Sequence, residues 1–276
     1  MPESSMPEPV KPGNPPVSDA PPVLTGPGAP STLLRAATPW GLWPSLSLSL
    51  AAIVGLSIFQ GVICVLFLLR EGTPIGGHLV LSRLVTGNAL TAAILMVAPL
   101  LVIFLVQMAR FRSPYPIRDH LALRPFSRRD VLVGFGWLLA TTSVSIAVDH
   151  WWPEPPNATM KLVFQTASVP ALLWIAIVLV GPFYEELLFR GFLMEGLLQS
   201  RIGKPGAMAA STLAFTAIHT QYGLRELVQI LVLGIVLAGL RIRTRSIGPS
   251  LLVHAGNNLV ACIVYSTLPE GPSAQP

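Results

Sequence analysis

The stretch GPFYEELLFR (181–190) puts Glu185, Glu186 and Arg190 directly after an uncharged run from Leu162 to Tyr184, with more apolar sequence beyond them. A charge at mid-bilayer depth costs at least ~2.5–3.5 kcal/mol, so ionisable groups there face a cavity or one another. Glu195, His219 of FTAIHT and His254 of HAGNN share that setting. Glu186 and Arg190 are four apart and meet on one helix face, where the guanidinium neutralises the carboxylate and holds its rotamer. Glu185 points about 100° away and keeps a free carboxylate. Gly181 and Pro182 precede it, and Pro182 is expected to kink the helix and make room for water. Phe215 lies one turn before His219, and Asn258 one turn after His254. Glu195 falls near the membrane interface, where no special role is expected of it.

A carboxylate, two imidazoles and an amide in a half-wet cavity suit hydrolysis. Glu185 takes a proton from water as general base. A His or Asn donor stabilises the oxyanion. The oxygens of Glu185 and the nitrogens of His219 and His254 are also the ligand types that hold Zn²⁺ with a bound water. No HExxH pair, the commoner zinc signature, occurs on one helix. Buried Glu and His also serve proton relays in transporters, but the two halves of the chain show no inverted repeat.

The elements that must position these groups are membrane helices. Of 276 residues 52% are hydrophobic and 11% charged, against about 25% charged in a soluble domain. Seven apolar runs follow one another: 45–69, 84–109, 131–148, 168–200, 205–223, 227–240 and 247–268. The expected fold class is all-α, a polytopic bundle of about seven transmembrane helices, or eight if the fourth run breaks. Runs this long and continuously apolar exclude a barrel. Residues 1–44 hold 12 of the 27 prolines and read as a disordered tail. Residues 45–268 form the membrane domain, with the motifs in 130–268, and 269–276 a short C-terminal tail. Cys64 and Cys262 lie inside apolar runs and act as small apolar residues.

The net charge is +5. The basic residues are mostly arginines in short loops, which sets topology and not nucleic-acid binding. Arg35, Arg110, Arg112, Arg118, Arg124, Arg128, Arg129, Arg201, Lys204, Arg241, Arg243 and Arg245 fall on one side, and Arg70, Arg83, Lys161 and Arg225 on the other. Twelve against four makes the first side, and the N-terminus, cytoplasmic. Counted at ~1.5 Å per residue from the cytoplasmic helix ends, Glu185, His219 and His254 lie about 22, 20 and 14 Å deep. The three can converge in one cavity, and the count favours substrate access from the cytoplasmic half.

EELLFR fits an EExxxR pattern, FTAIH an FxxxH pattern and HAGNN contains HxxxN. In this order, on successive helices, they resemble the CAAX-protease and bacteriocin-processing (CPBP, or Abi) family of intramembrane proteases, which includes the eukaryotic prenyl-protein endopeptidase. The resemblance covers about residues 130–268. It implies a membrane endopeptidase in which Glu185 activates water with His219 alongside, Glu186 and Arg190 support it, and His254 and Asn258 hold the oxyanion or shape the site. It leaves both a glutamate mechanism and a zinc mechanism open. Its substrates are membrane-associated proteins or peptides, and its partner is the lipid bilayer. The compact chain and short loops suggest a multi-pass protein of a bacterial inner membrane. A family member serving as scaffold or immunity protein is the alternative, and a proton-coupled transporter a more distant one.

Overall fold

The computed structural model describes residues 41–70, 85–112 and 116–268. The proline-rich tail, apart from its last four residues, and the C-terminal tail lie outside the described residues. Helices joined by turns and short connections make up the described residues, without strands. The helices are α1 (Leu42–Arg70), α2 (Gly87–Arg112), the single turn α3 (Ile117–His120), α4 (Arg128–Trp151) and α5 (Ala158–Gln165). They continue as α6 (Pro170–Leu198), α7 (Gly203–Ala217), α8 (Leu224–Thr244) and α9 (Gly248–Thr267).

Seven of these follow the seven apolar runs, and the fourth run does not break. Five are long and apolar enough to cross a membrane: α1, α2, α4, α6 and α8. Among the described residues five helices thus have the length and apolarity of a span, where the sequence leads one to expect seven. The two that fall short are instructive. α7 has 15 residues, too short for the ~20 that a span needs. α9 has 20, but His254, Asn257 and Asn258 on its inner face lower its hydropathy. The residues that make the site take their own helix out of the membrane-like class.

Apolar packing binds the bundle. One buried cluster joins Leu101 and Leu105 of α2, Leu187 to Met194 of α6, Phe215 of α7 and Ala238 of α8. α4 approaches α8 and α9 closely in its first half, because Gly134 has no side chain: a Cβ there would lie 2.6 Å from Val253 Cγ2. Ser127 caps α4, accepting from Asp130 N (3.2 Å) while Ser127 N donates to the Asp130 carboxylate (3.3 Å), a reciprocal box that fixes where the helix begins.

The segment after α2 turns into the bundle instead of crossing its face as a loop. Leu121 and Ala122 are buried, and Ile247 N donates to Ala122 O (3.0 Å). Leu121 O sits so close to α6 that a Cβ on Gly191 would meet it at 2.9 Å. This segment plugs the arginine-rich end.

α6 runs unbroken through Pro182. Two π-helical stretches, Ala176–Val180 and Leu187–Leu193, flank the helical turn Gly181–Glu186. A π-turn widens the helix by one residue per turn and recurs at functional sites. Pro182, just past the first of these stretches, has no N–H to donate back along the helix.

Candidate functional site

The site is built downward from buried charge. Glu186 and Arg190 are both fully buried, and Arg190 Nη1 lies 3.0 Å from Glu186 Oε1. Two further contacts hold the guanidinium: Nη2 donates to Gly234 O (3.4 Å), and Phe215 lies face-on at 4.2 Å from its central carbon to the ring centroid. A guanidinium over an aromatic face gains cation–π attraction where water is excluded. Gly234 is required here, because a Cβ would meet Thr212 Cγ2 at 2.9 Å. The expected ion pair is therefore present, and it belongs to the floor beneath the cavity.

His254 stands on that floor. Its Nδ1 lies 3.2 Å from Glu186 Oε1, so an Nδ1 proton donated to a carboxylate leaves Nε2 facing the other way. Nε2 lies 3.8 Å from Glu185 Oε2. Glu186, His254 and Glu185 thus form a line from the buried ion pair to the cavity-lining carboxylate. Glu185 Oε2 accepts no hydrogen bond from protein, which is the free carboxylate that the helix geometry predicts.

His219 does not lie on a helix. α7 ends at Ala217, and His219 occupies the turn beyond it, where the apolar run had suggested helix to Gly223. Its Nδ1 lies 2.8 Å from Phe215 O, so Nδ1 carries the proton and the Nε2 lone pair is left for the cavity. The FxxxH spacing is therefore a carbonyl–imidazole contact as well as ring packing at 4.8 Å.

Glu185, His219, His254 and Asn258 line one cavity of about 470 Å³, together with Asn257, Tyr222 and Cys262. Glu186 and Arg190 lie beneath it. Among the described residues no group of three or more His, Cys, Asp or Glu is placed to hold a metal ion. Glu185, His219 and His254 share the cavity but do not close on a common point, so the zinc set left open by the sequence is not assembled in this conformation.

The mouth of the cavity corrects the depth argument. Its rim carries Asp149 in the last turn of α4 and Glu154 after it, Arg225 and Glu226 at the start of α8, and Leu268 after α9. These are the ends of α4 and α8 opposite Arg128, Arg129, Arg241 and Arg243. Helix counting placed the residues near mid-depth and could not tell which half was filled. The plug at Leu121–Ala122 and the packed side chains of α6 fill the arginine-rich half. At the mouth Arg225 binds Asp149 (2.8 Å) and Glu154 (3.5 Å) and donates to Trp152 O (3.4 Å).

Arg241, which is buried, and Glu195, which is half-buried, carry roles that the sequence did not reveal. Arg241 was counted among the loop cations and Glu195 given none. Arg241 is 1% exposed, pairs with Glu195 and donates from Nε to Arg190 O (2.9 Å). Ser211 Oγ likewise donates to Phe189 O (3.0 Å). Both donate to carbonyls inside the second π-helical stretch, Ser211 sharing Phe189 O with the Met194 N–H. The signal for Glu195 was its buried setting, since an acid between Met194 and Gly196 in an apolar run needs a cation.

Residues 167–260, which hold all three motifs, match the family described as Type II CAAX prenyl endopeptidase Rce1-like. The match agrees with the resemblance that the motifs carry. No curated protein and no solved structure matches the chain.

Proposed function

We propose that this integral membrane protein is an intramembrane endopeptidase of the CAAX-protease type, hydrolysing peptide bonds of membrane-associated proteins or peptides. The observation that carries this reading is the approach of Glu185 Oε2 to His254 Nε2 at 3.8 Å between two residues that line the cavity, backed by a neutralised ion pair. A water held in the cavity by the Glu185 carboxylate gives it a proton while the water oxygen attacks the peptide carbonyl carbon. The carbonyl π pair moves onto oxygen, and the tetrahedral oxyanion forms. On collapse the C–N bond breaks, and the proton held by Glu185 passes to the departing amine. Glu186 keeps the Nδ1 proton of His254 in place, which fixes the orientation of that imidazole.

The orientation reading joins this one. With the arginine-rich ends in the cytoplasm of a bacterial inner membrane, the mouth at Asp149, Glu154 and Arg225 faces outward, and substrate approaches from that side. The two readings are tested together by comparing membrane-fraction N-termini from cells expressing the wild type or Glu185→Gln. New termini that need Glu185 support the peptidase. Identical termini in both strains sink it and favour a scaffold or immunity role.

A further inference from the structure

One wall of the cavity is a single helix thick and thinly held. Thr141, Thr142, Ser145 and Asp149 of α4 line the cavity, while Leu139, Val144 and Val148 of the same helix are exposed. α4 is buried only at Gly134 and Leu138, where it packs against α8 and α9. None of its residues after Leu138 is buried, and segments with few buried apolar contacts open at the lowest free energy. Thr141 stands where the packing ends. Its hydroxyl lies 3.0 Å from both Trp137 O and Leu138 O, a bond back onto the helix of the kind that bends helices.

Beyond α4 the chain crosses the mouth of the cavity as a strap, WPEPP (152–156), of which Pro153, Glu154 and Pro156 line the cavity. Its prolines restrict the backbone, so the strap follows the end of α4 as one piece. The far end is fixed. Asn157 caps α5 by accepting from Met160 N (3.1 Å), and its Nδ2 donates to Gln221 O (3.2 Å). Between these fixed ends, among the described residues, every ion pair and hydrogen bond from 141–156 to another element goes to Arg225. Its Nη1 lies 2.8 Å from Asp149 Oδ1 and donates to Trp152 O (3.4 Å), and its Nε lies 3.5 Å from Glu154 Oε2. The Arg225 side chain is 18% exposed, those of Asp149 and Glu154 52% and 45%. The guanidinium therefore belongs to the bundle and the two acids to the moving wall.

We propose that 141–156 is a side gate of the cavity, hinged at Thr141 and latched by Arg225, through which a membrane-anchored polypeptide segment passes from the bilayer towards Glu185. The use of the gate rests on the peptidase reading. The latch is suited to release: the two half-exposed acids go to water, and Arg225 keeps Glu226 beside it at 4.0 Å, so opening strands no buried charge.

Cys262 reports the opening without any cleavage, because it lines the cavity and is fully buried. The full chain carrying Cys64→Ala is placed in lipid nanodiscs, where both faces meet a water-soluble methanethiosulfonate. Arg225→Gln should raise the labelling rate of Cys262 roughly tenfold, since charge-assisted bonds to several partners are lost together and the open population grows. Arg225→Lys, which keeps the charge without the fork, should fall between. Arg243→Gln breaks the pair with Asp130 at the opposite end of α4 (3.4 Å) and should leave the rate unchanged. In a chain with Cys64 and Cys262 replaced by Ala, Glu154→Cys and Arg225→Cys are joined by a reducible bis-methanethiosulfonate linker. Linking should stop cleavage of a substrate drawn from the cleavages lost in Glu185→Gln, and reduction should restore it. The latch is overturned if Arg225→Gln labels within about twofold of its parent, or if Arg243→Gln speeds labelling as much. Cleavage at the full rate across the linked strap overturns the gate. If no cleavage depends on Glu185, the peptidase reading fails, and the labelling of Cys262 still decides the latch.

Discussion

Replacing Glu186 by Gln should separate the two neighbouring glutamates by stability as sharply as by activity. The carboxylate is fully buried and 3.0 Å from Arg190 Nη1. At an effective dielectric of about 20 that contact is worth roughly 5–6 kcal/mol of Coulomb attraction, set against the desolvation of both ions. The net value of the pair is therefore small, but the cost of breaking it is not. Gln keeps the shape and removes the charge, leaving the Arg190 guanidinium buried with Phe215 and Gly234 O as its remaining contacts. A stranded buried charge costs about 3–5 kcal/mol. The assay is reversible unfolding in mixed micelles of increasing denaturing detergent, with Arg190→Met and the double variant completing a cycle. Each single variant should lose about 3–5 kcal/mol, and the double variant much less than their sum, because it removes both charges. Glu185→Gln should unfold almost as the wild type does, since its Oε2 has no protein partner, yet lose turnover. A loss under about 1 kcal/mol for Glu186→Gln, or a cycle that is simply additive, would refute the reasoning.

Gly191→Ala should destabilise by about 1–3 kcal/mol and reduce activity, because its Cβ would stand 2.9 Å from the backbone oxygen of Leu121; unfolding at the wild-type detergent concentration would show that the plug moves freely. Arg241→Met should lower both stability and kcat, and adding Glu195→Gln should restore part of the stability by removing the unpaired acid; no recovery in the double variant would disconnect the pair. In a chain with Cys64 and Cys262 replaced by Ala, single cysteines at Leu123 and Pro155 should react with an impermeant thiol reagent from opposite sides of the membrane, Pro155→Cys from outside; labelling of both from one side would overturn the orientation.

The helices were legible because hydropathy is a local property. The run 131–148 became Arg128–Trp151, and 247–268 became Gly248–Thr267. The Glu186–Arg190 pair was legible for a similar reason, as helical spacing fixes it before any tertiary contact forms. Arg241 was not legible. It lies in the last turn of α8 with Arg243 and Arg245 close behind, so by sequence it belongs to a basic loop. Only the passage of α6 beside that turn, with a carbonyl of Arg190 to satisfy and Glu195 to neutralise, draws it inward. The mouth was hidden for a related reason. Depth along a helix says how far a residue is from each end, and the filling of one end by Leu121 and Ala122 depends on a segment 60 residues away in sequence from Glu185.

The π-helical stretches show how such hidden contacts bear on chemistry. A regular helix through 170–198 would pair its own carbonyls and offer none to its neighbours. Beside the widened turns, three other helices donate to α6 carbonyls: Asn258 to Ile177 O, Ser211 to Phe189 O, which also accepts from Met194 N, and Arg241 to Arg190 O. The helix that carries Glu185 is thereby fixed on both sides of the carboxylate by directional bonds, in a membrane interior where apolar contacts alone specify position weakly. Glu185 itself makes no such bond through Oε2. The surrounding backbone is held so that this one oxygen need not be.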